Sequence, residues 1–294
     1  MGQNLGGGGA GAMNLVDTIL QSTIQLPAFP AVIQKVLQLI EDPQSSAREL
    51  VDVIQYDQAI TANILKVCNS AYFGARRPIH TLREALVRIG FNELLEIILS
   101  RSSLQFISKA CPGYGLEQGD LWRHSVSCAL LSQILAKRIQ EEASPILFTA
   151  GLLHDIGKVI LSDYVQEHFQ DIKRNILEEG HSFCEAEKAV LGINHAELGG
   201  IICERWQFPK IIVSVIRYHH TPSAASADQK IVQRIYLCDL VALMTGIGGG
   251  ADGLYYHADI EIMKNFQLDE RDIEQFIVQL DKELQDVEAM LNIQ

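Results

Sequence analysis

From Ala31 to Leu291 the apolar residues return every three or four positions, and nowhere do they alternate over a useful length. That spacing marks one face of a helix of about 3.6 residues per turn, whereas a half-buried strand alternates with a period of two. Val32, Ile33, Val36, Leu37 and Ile40 make the first such face, and Pro43 ends it. Further helices are expected over 46–56, 58–70, 80–89 and 91–109. "ACPGYG" at 110–115 then interrupts the pattern with one proline and two glycines. After it the spacing predicts helices over 117–140, 144–155, 163–179, 182–191, 195–205, 208–220, 227–246 and 269–291. Ser182, with Glu185 three residues on, is a capping-box signature, so Glu185 reads as a cap. In the last helix Ile273, Phe276, Ile277, Leu280, Leu284, Val287 and Leu291 share a stripe. That stripe is expected to pack on the second half of the chain, with self-association as the alternative. "GIGGGADG" at 246–253 reads as a turn or flexible loop. The expected fold is all-α: a flexible glycine-rich leader over 1–13, a helical domain over 14–112 and a helical bundle over 113–294.

Composition narrows the function. The chain has 294 residues, 48% of them hydrophobic, enough for a large core. The formal charge of −12 disfavours broad nucleic-acid binding. A local exception, Arg76, Arg77, Arg83 and Arg88, reads first as a solvated face and second as a docking site for an acidic partner. The six cysteines form no C-x-x-C pair and read as small core residues of a reducing cytoplasm. No secretory signal is visible, and the longest apolar runs are cut by His154, Asp155, Glu204 or Arg205, so no membrane span is expected.

Polar groups aimed at the core are the informative exceptions. "GLLHDIGKVI" at 151–160 sets His154 beside Asp155 in an otherwise apolar stretch, with Lys158 one turn on. His124 lies in the row of Leu121, Cys128, Leu131 and Leu135, and Asp239 in the row of Ile231, Ile235 and Leu243. His195 opens a helix, and His219 and His220 close one. Singly, each has a plain reading: a hydrogen-bonded core histidine, a cap, a surface doublet. Together they offer five imidazoles and two carboxylates, donors that suit Fe, Mn, Zn, Co or Ni and suit Mg²⁺ less. Such residues can converge from separate helices of a bundle. His80, His168, His181 and His257 are expected to have ordinary roles, with His181 able to approach the site after folding.

The ordered series His124, His154-Asp155, His195, His219-His220, Asp239 resembles the signature of the HD superfamily of metal-dependent phosphohydrolases. More narrowly the chain is similar to HDOD (HD-related output domain) proteins. The resemblance runs from "LPAFPAVIQKVLQLIEDP" through "IQYDQAITANILKVCNSAYFG" and "IHTLREALVRIGFNELLEIIL" to "AGLLHDIGKVIL" and "HAELGGIICERWQFPKIIVSVIRYHHTP". It implies an N-terminal helical domain joined to an HD-type helical domain, in a bacterial signalling or output module. It implies that His124, His154, Asp155 and Asp239 hold one ion and that Asp155 bridges to a second on His195, His219 and His220. Asp120 matches an extra carboxylate of the related HD-GYP phosphodiesterases. No G-Y-P follows the histidine doublet here, which argues against cyclic-dinucleotide hydrolysis.

Three functions follow as expectations. The first is a module that binds a protein partner or a small phosphorylated ligand. The second is a phosphohydrolase of nucleotide or cyclic-nucleotide phosphoesters, with Asp155 and Lys158 at the chemistry and Lys158 either meeting a phosphate oxygen or sitting solvated at a helix end. The third is a purely structural ion.

Overall fold

The computed structural model describes residues 14–25, 31–42, 44–70, 73, 78–141, 144–225, 227–251, 253 and 260–291. The expected leader and Arg76, Arg77 and His257 lie outside them. Among the described residues the fold is helical, and its one β-type pairing is the isolated bridge between Cys111 and Leu116. The first half carries α1 (Leu15–Ser22), α2 (Ala31–Glu41), α3 (Ala47–Ile54), α4 (Gln58–Cys68), α5 (Leu82–Ile89) and α6 (Phe91–Ile107). The second carries α7 (Asp120–Arg138), α8 (Pro145–Leu153), α9 (Lys158–Glu167), α10 (Phe169–Glu179), α11 (Phe183–Leu191), α12 (His195–Arg205), α13 (Lys210–Tyr218), α14 (Gln229–Met244), α15 (Ile260–Asn265) and α16 (Glu270–Leu291).

Helix starts follow their caps. Ser46 with Glu49, and Ser182 with Glu185, each form a complete capping box, so Glu185 is a cap. One expected helix divides. The span read as 163–179 is the C-terminal part of α9 followed by α10, parted at His168. Leu161, Val165, Ile172 and Ile176 keep helical spacing across the break and are all buried, so periodicity could not reveal it. The helices α1 and α15 fall in segments assigned to no helix. Residues 15–23, grouped by sequence order with the first half, rest on the second: the Ser22 and Tyr164 hydroxyls share a 2.7 Å hydrogen bond, and Arg205 donates to Leu20 O.

The buried apolar residues form one continuous cluster from Ile19 to Leu291. At its centre α7 packs along α8 and α14, and α12 along α13. The stripe of α16 closes on α7 and α14, burying Ile273, Phe276, Leu280 and Leu284, with Arg138 paired to Asp272 and Arg123 to Glu288 at the rim. Residues Pro145–Glu167 are apolar and long enough to rank as a candidate span, but 78% of the window is buried in the protein and the helix is broken between α8 and α9. Arg83 and Arg88 lie on the exposed side of α5, opposite buried Leu82 and Ala85.

The asparagine of "NSAYFG" has a structural task. At the end of α4 the Asn69 amide donates to Ile79 O and accepts from Ile79 N, both at 2.7 Å. Ile79 is buried, so Asn69→Ala leaves two backbone groups unpaired. We expect a loss of about 1–3 kcal/mol. A urea denaturation midpoint equal to that of the parent chain would contradict this reading.

Candidate metal centre

Five helices and one turn deliver the polar residues to one point. His124 stands on the inner face of α7, above Cys128, Leu131 and Leu135, all buried. His154 and Asp155 do not continue α8, as expected, but occupy the turn between α8 and α9, with Lys158 opening α9. His195 opens α12, His219 and His220 follow the end of α13, and Asp239 lies mid-way along α14. Each of the eight exposes 6% or less of its side chain or of the whole residue.

Asp155 is the hub, and its two oxygens face different groups. Oδ2 lies 3.3 Å from His154 Nε2 and 3.7 Å from His124 Nε2. Oδ1 lies 3.4 Å from His195 Nε2 and 3.7 Å from His219 Nε2. Asp239 completes the first group, with Oδ1 3.0 Å from His124 Nε2 and 3.7 Å from His154 Nε2. His220 completes the second, with its Nε2 2.8 Å from His195 Nε2. Donor atoms of His124, Cys128, His154 and Asp239 fall within 4.8 Å of one another, and so do those of Asp155, His195, His219 and His220.

The outer ring nitrogens fix which atom points inward. Nδ1 of His124 meets Ile247 O at 3.1 Å, Nδ1 of His154 meets Gly151 O at 2.7 Å, and Nδ1 of His219 meets Ile216 O at 2.6 Å. A carbonyl only accepts, so these Nδ1 atoms carry the hydrogen and Nε2 is left to the centre. His195 is held by a carboxylate instead: Glu187 Oε2 takes both its Nδ1–H, at 2.7 Å, and its backbone N–H, at 3.0 Å. The other Glu187 oxygen takes the Tyr114 hydroxyl.

The donor set fits cations. His154 Nε2, His219 Nε2 and both Asp155 oxygens are buried without a hydrogen-bond partner. Lys158 Nζ lies 2.7 Å from Asp155 Oδ2 as an ion pair. Burial would raise the Asp155 and Asp239 pKa values, yet the facing imidazoles, with Lys158 at Asp155, hold both well below the usual carboxylate range. The carboxylates in turn draw positive charge. Burial lowers the His154 pKa, but Asp155 and Asp239 together raise it to about 10. Two carboxylates buried among imidazoles make a donor set suited to a divalent cation. Burial, with Asp239 next, pushes the Cys128 thiol well above its ordinary value, which keeps it neutral.

Some expected roles change. Lys158 is 3% exposed, so a solvated helix end is ruled out for it. The Asp120 carboxylate accepts from Glu117 N at 2.8 Å and is not in either ligand group. His181 is in neither group. The sequence pattern assigns no site role to Glu187, to Cys128 or to the glycine-rich loop after α14. Gly248 takes φ +60°, and a Cβ there would stand 2.6 Å from His124 Cβ, so this loop is a wall of the centre.

Gly157, in "HDIGK", has the same kind of function. A Cβ at this position would stand 2.0 Å from His195 O and 2.9 Å from Gly199 N. The bare backbone lets α12 approach closely enough for His195 to reach Asp155. Gly157→Ala should force α12 outward, cost about 3 kcal/mol and weaken any metal binding on the His195 side. A thermal melt and metal analysis test this together; a variant matching the parent in both would refute it.

The family model for the HDOD domain matches residues 26–222, about two thirds of the chain. The chain belongs to the HDOD family. Solved structures agree with the fold. An HDOD domain protein of unknown function from Geobacter sulfurreducens superposes with a TM-score of 0.70 at 23% identity, covering 94% of this HDOD chain and 97% of its own. A Marinobacter aquaeolei protein provisionally named a signal transduction protein gives 0.73 at 22% identity, covering 95% and 64%. A Shewanella amazonensis protein provisionally named a phosphohydrolase gives 0.66 at 22%, covering 93% and 97%. An uncharacterised Treponema pallidum protein is 24% identical over 217 residues, 74% of this chain. The HDOD chain spans 42% of that relative's length.

Proposed function

We propose that this HDOD chain is a bacterial, cytoplasmic signal-output module whose second half holds two divalent transition-metal ions. The observation that carries the reading is the division of Asp155, one oxygen toward His124 and His154, the other toward His195 and His219. His124, His154 and Asp239 would hold one ion and His195, His219 and His220 the other, with Asp155 shared. Two bound cations would supply electrophilic stabilisation to a phosphoryl group. The chain's own residues favour holding ions over turnover. All the ligands but His220 are buried residues, and the charge of Lys158 is directed at Asp155 rather than outward. The signalling name of the Marinobacter protein is in keeping with this.

A phosphohydrolase is the second reading, favoured by one feature. A cavity of about 330 Å³, lined by His220, Ser182, Ser223, Gln233 and Tyr236, reaches the edge of the centre. The test uses chain loaded with Mn or Fe and a panel of nitrophenyl phosphate, nucleotides and cyclic nucleotides. The output reading expects two ions per chain, no phosphate release, and a cellular protein captured by the parent chain but not by Asp155→Ala. Release a hundredfold above background from any member would transfer the conclusion to the hydrolase.

A further inference from the structure

A second, larger cavity lies apart from the metal ligands. Its volume is about 720 Å³, within the range of small-molecule sites. It is lined by the end of α7, the first turns of α14 and the residues after α15, and it shares Gln229 and Gln233 with the cavity that reaches His220. Along α14, Lys230 and Arg234 stand nine and five residues before Asp239, about 14 and 8 Å at the helical rise.

Its lining is built for a ligand. Gln233 is 7% exposed and lines the cavity. The Nε of Arg234 is buried without a hydrogen-bond partner, although the guanidinium's other end pairs with Glu141. Leaving such a group unpaired inside the protein is costly. Gln140 and Gln267 also line the cavity, and both take left-handed backbone, φ 57° and 54°, at helix ends where glycine or asparagine is usual. The charges are unequal. Arg138 is matched by Asp272 and Arg234 by the half-exposed Glu141, while Lys230 is exposed and adds a positive charge. Phe266 supplies an aromatic ring.

Carboxamides read the edge of a planar heterocycle, a ring stacks on its face, and a lysine beside an arginine meets a phosphate. We propose that this cavity binds a nucleoside phosphate, with the phosphate at Lys230 and Arg234 and the base among the carboxamides and Phe266. The occupant would border the entrance to the metal centre at Gln233, which makes the cavity an input site for the module. The assignment uses no metal ligand and stands or falls separately from the two-ion centre.

Titration calorimetry on the full chain tests it, with AMP, GMP, CMP and UMP as probes and inorganic phosphate as comparator. At least one nucleotide should bind saturably, ten times or more tighter than phosphate. Gln233→Leu and Lys230→Gln should each weaken that binding at least tenfold. Lys230 is exposed, so its replacement cannot act by unfolding the chain, and the helical circular dichroism of both variants verifies folding. Absence of saturable binding by all four nucleotides overturns the proposal, as does a Lys230→Gln chain that binds as tightly as the parent. The metal content of the same samples reports on the other centre separately.

Discussion

Asp155→Ala will leave the chain with neither ion and about 3–5 kcal/mol less stable. The carboxylate is 1% exposed and faces four imidazoles and the Lys158 ammonium. Removing one member of a buried charge pair strands the other, and the stranded Lys158 is 3% exposed. Both ligand groups lose their shared oxygens at once, so the effect on metal is total and not graded. Elemental analysis and urea denaturation measure the two parts. Asp155→Asn keeps the shape of the side chain and serves where the alanine variant does not fold; it should lose the ions as well. Retention of both ions by either variant would remove Asp155 from its place as hub.

Glu187 has the second largest expected effect. It is fully buried and satisfies three donors, the Tyr114 hydroxyl, His195 N–H and His195 Nδ1–H. Glu187→Ala frees all three inside the protein, at a cost of about 3 kcal/mol or more. It also frees the His195 ring to turn, and loss of such an outer partner weakens metal affinity about 10–100-fold. The loss should fall on the His195 side, because His124 and His154 are oriented by the carbonyls of Ile247 and Gly151. A chelator titration should therefore turn from one release step into two. Equal weakening of both ions, or of neither, would contradict this.

Most of the helices were legible because their apolar periods were unbroken, and His124 and Asp239 because each is a polar residue in an apolar row. Glu187 carried the same signal. It is four residues from both Phe183 and Leu191, in a row that the fold buries, yet a neighbouring capping box accounted for the acidic character of that helix. The turn that holds His154 and Asp155 was not legible, since "GLLHDIGKVI" keeps helical spacing through it. Nor was the contact of Gly248 with His124, because sequence shows that a glycine is allowed at a position and not what approaches it. The pairing of Lys158 with Asp155 needed coordinates for a similar reason. Three residues apart at a helix start, the two could equally have faced water.

The most direct test is anomalous diffraction from crystals of the metal-loaded chain. The account predicts two peaks flanking Asp155, one bounded by His124, His154 and Asp239, the other by His195, His219 and His220. A well-ordered, loaded crystal with no peak at Asp155, or with its peaks elsewhere on the chain, would contradict it.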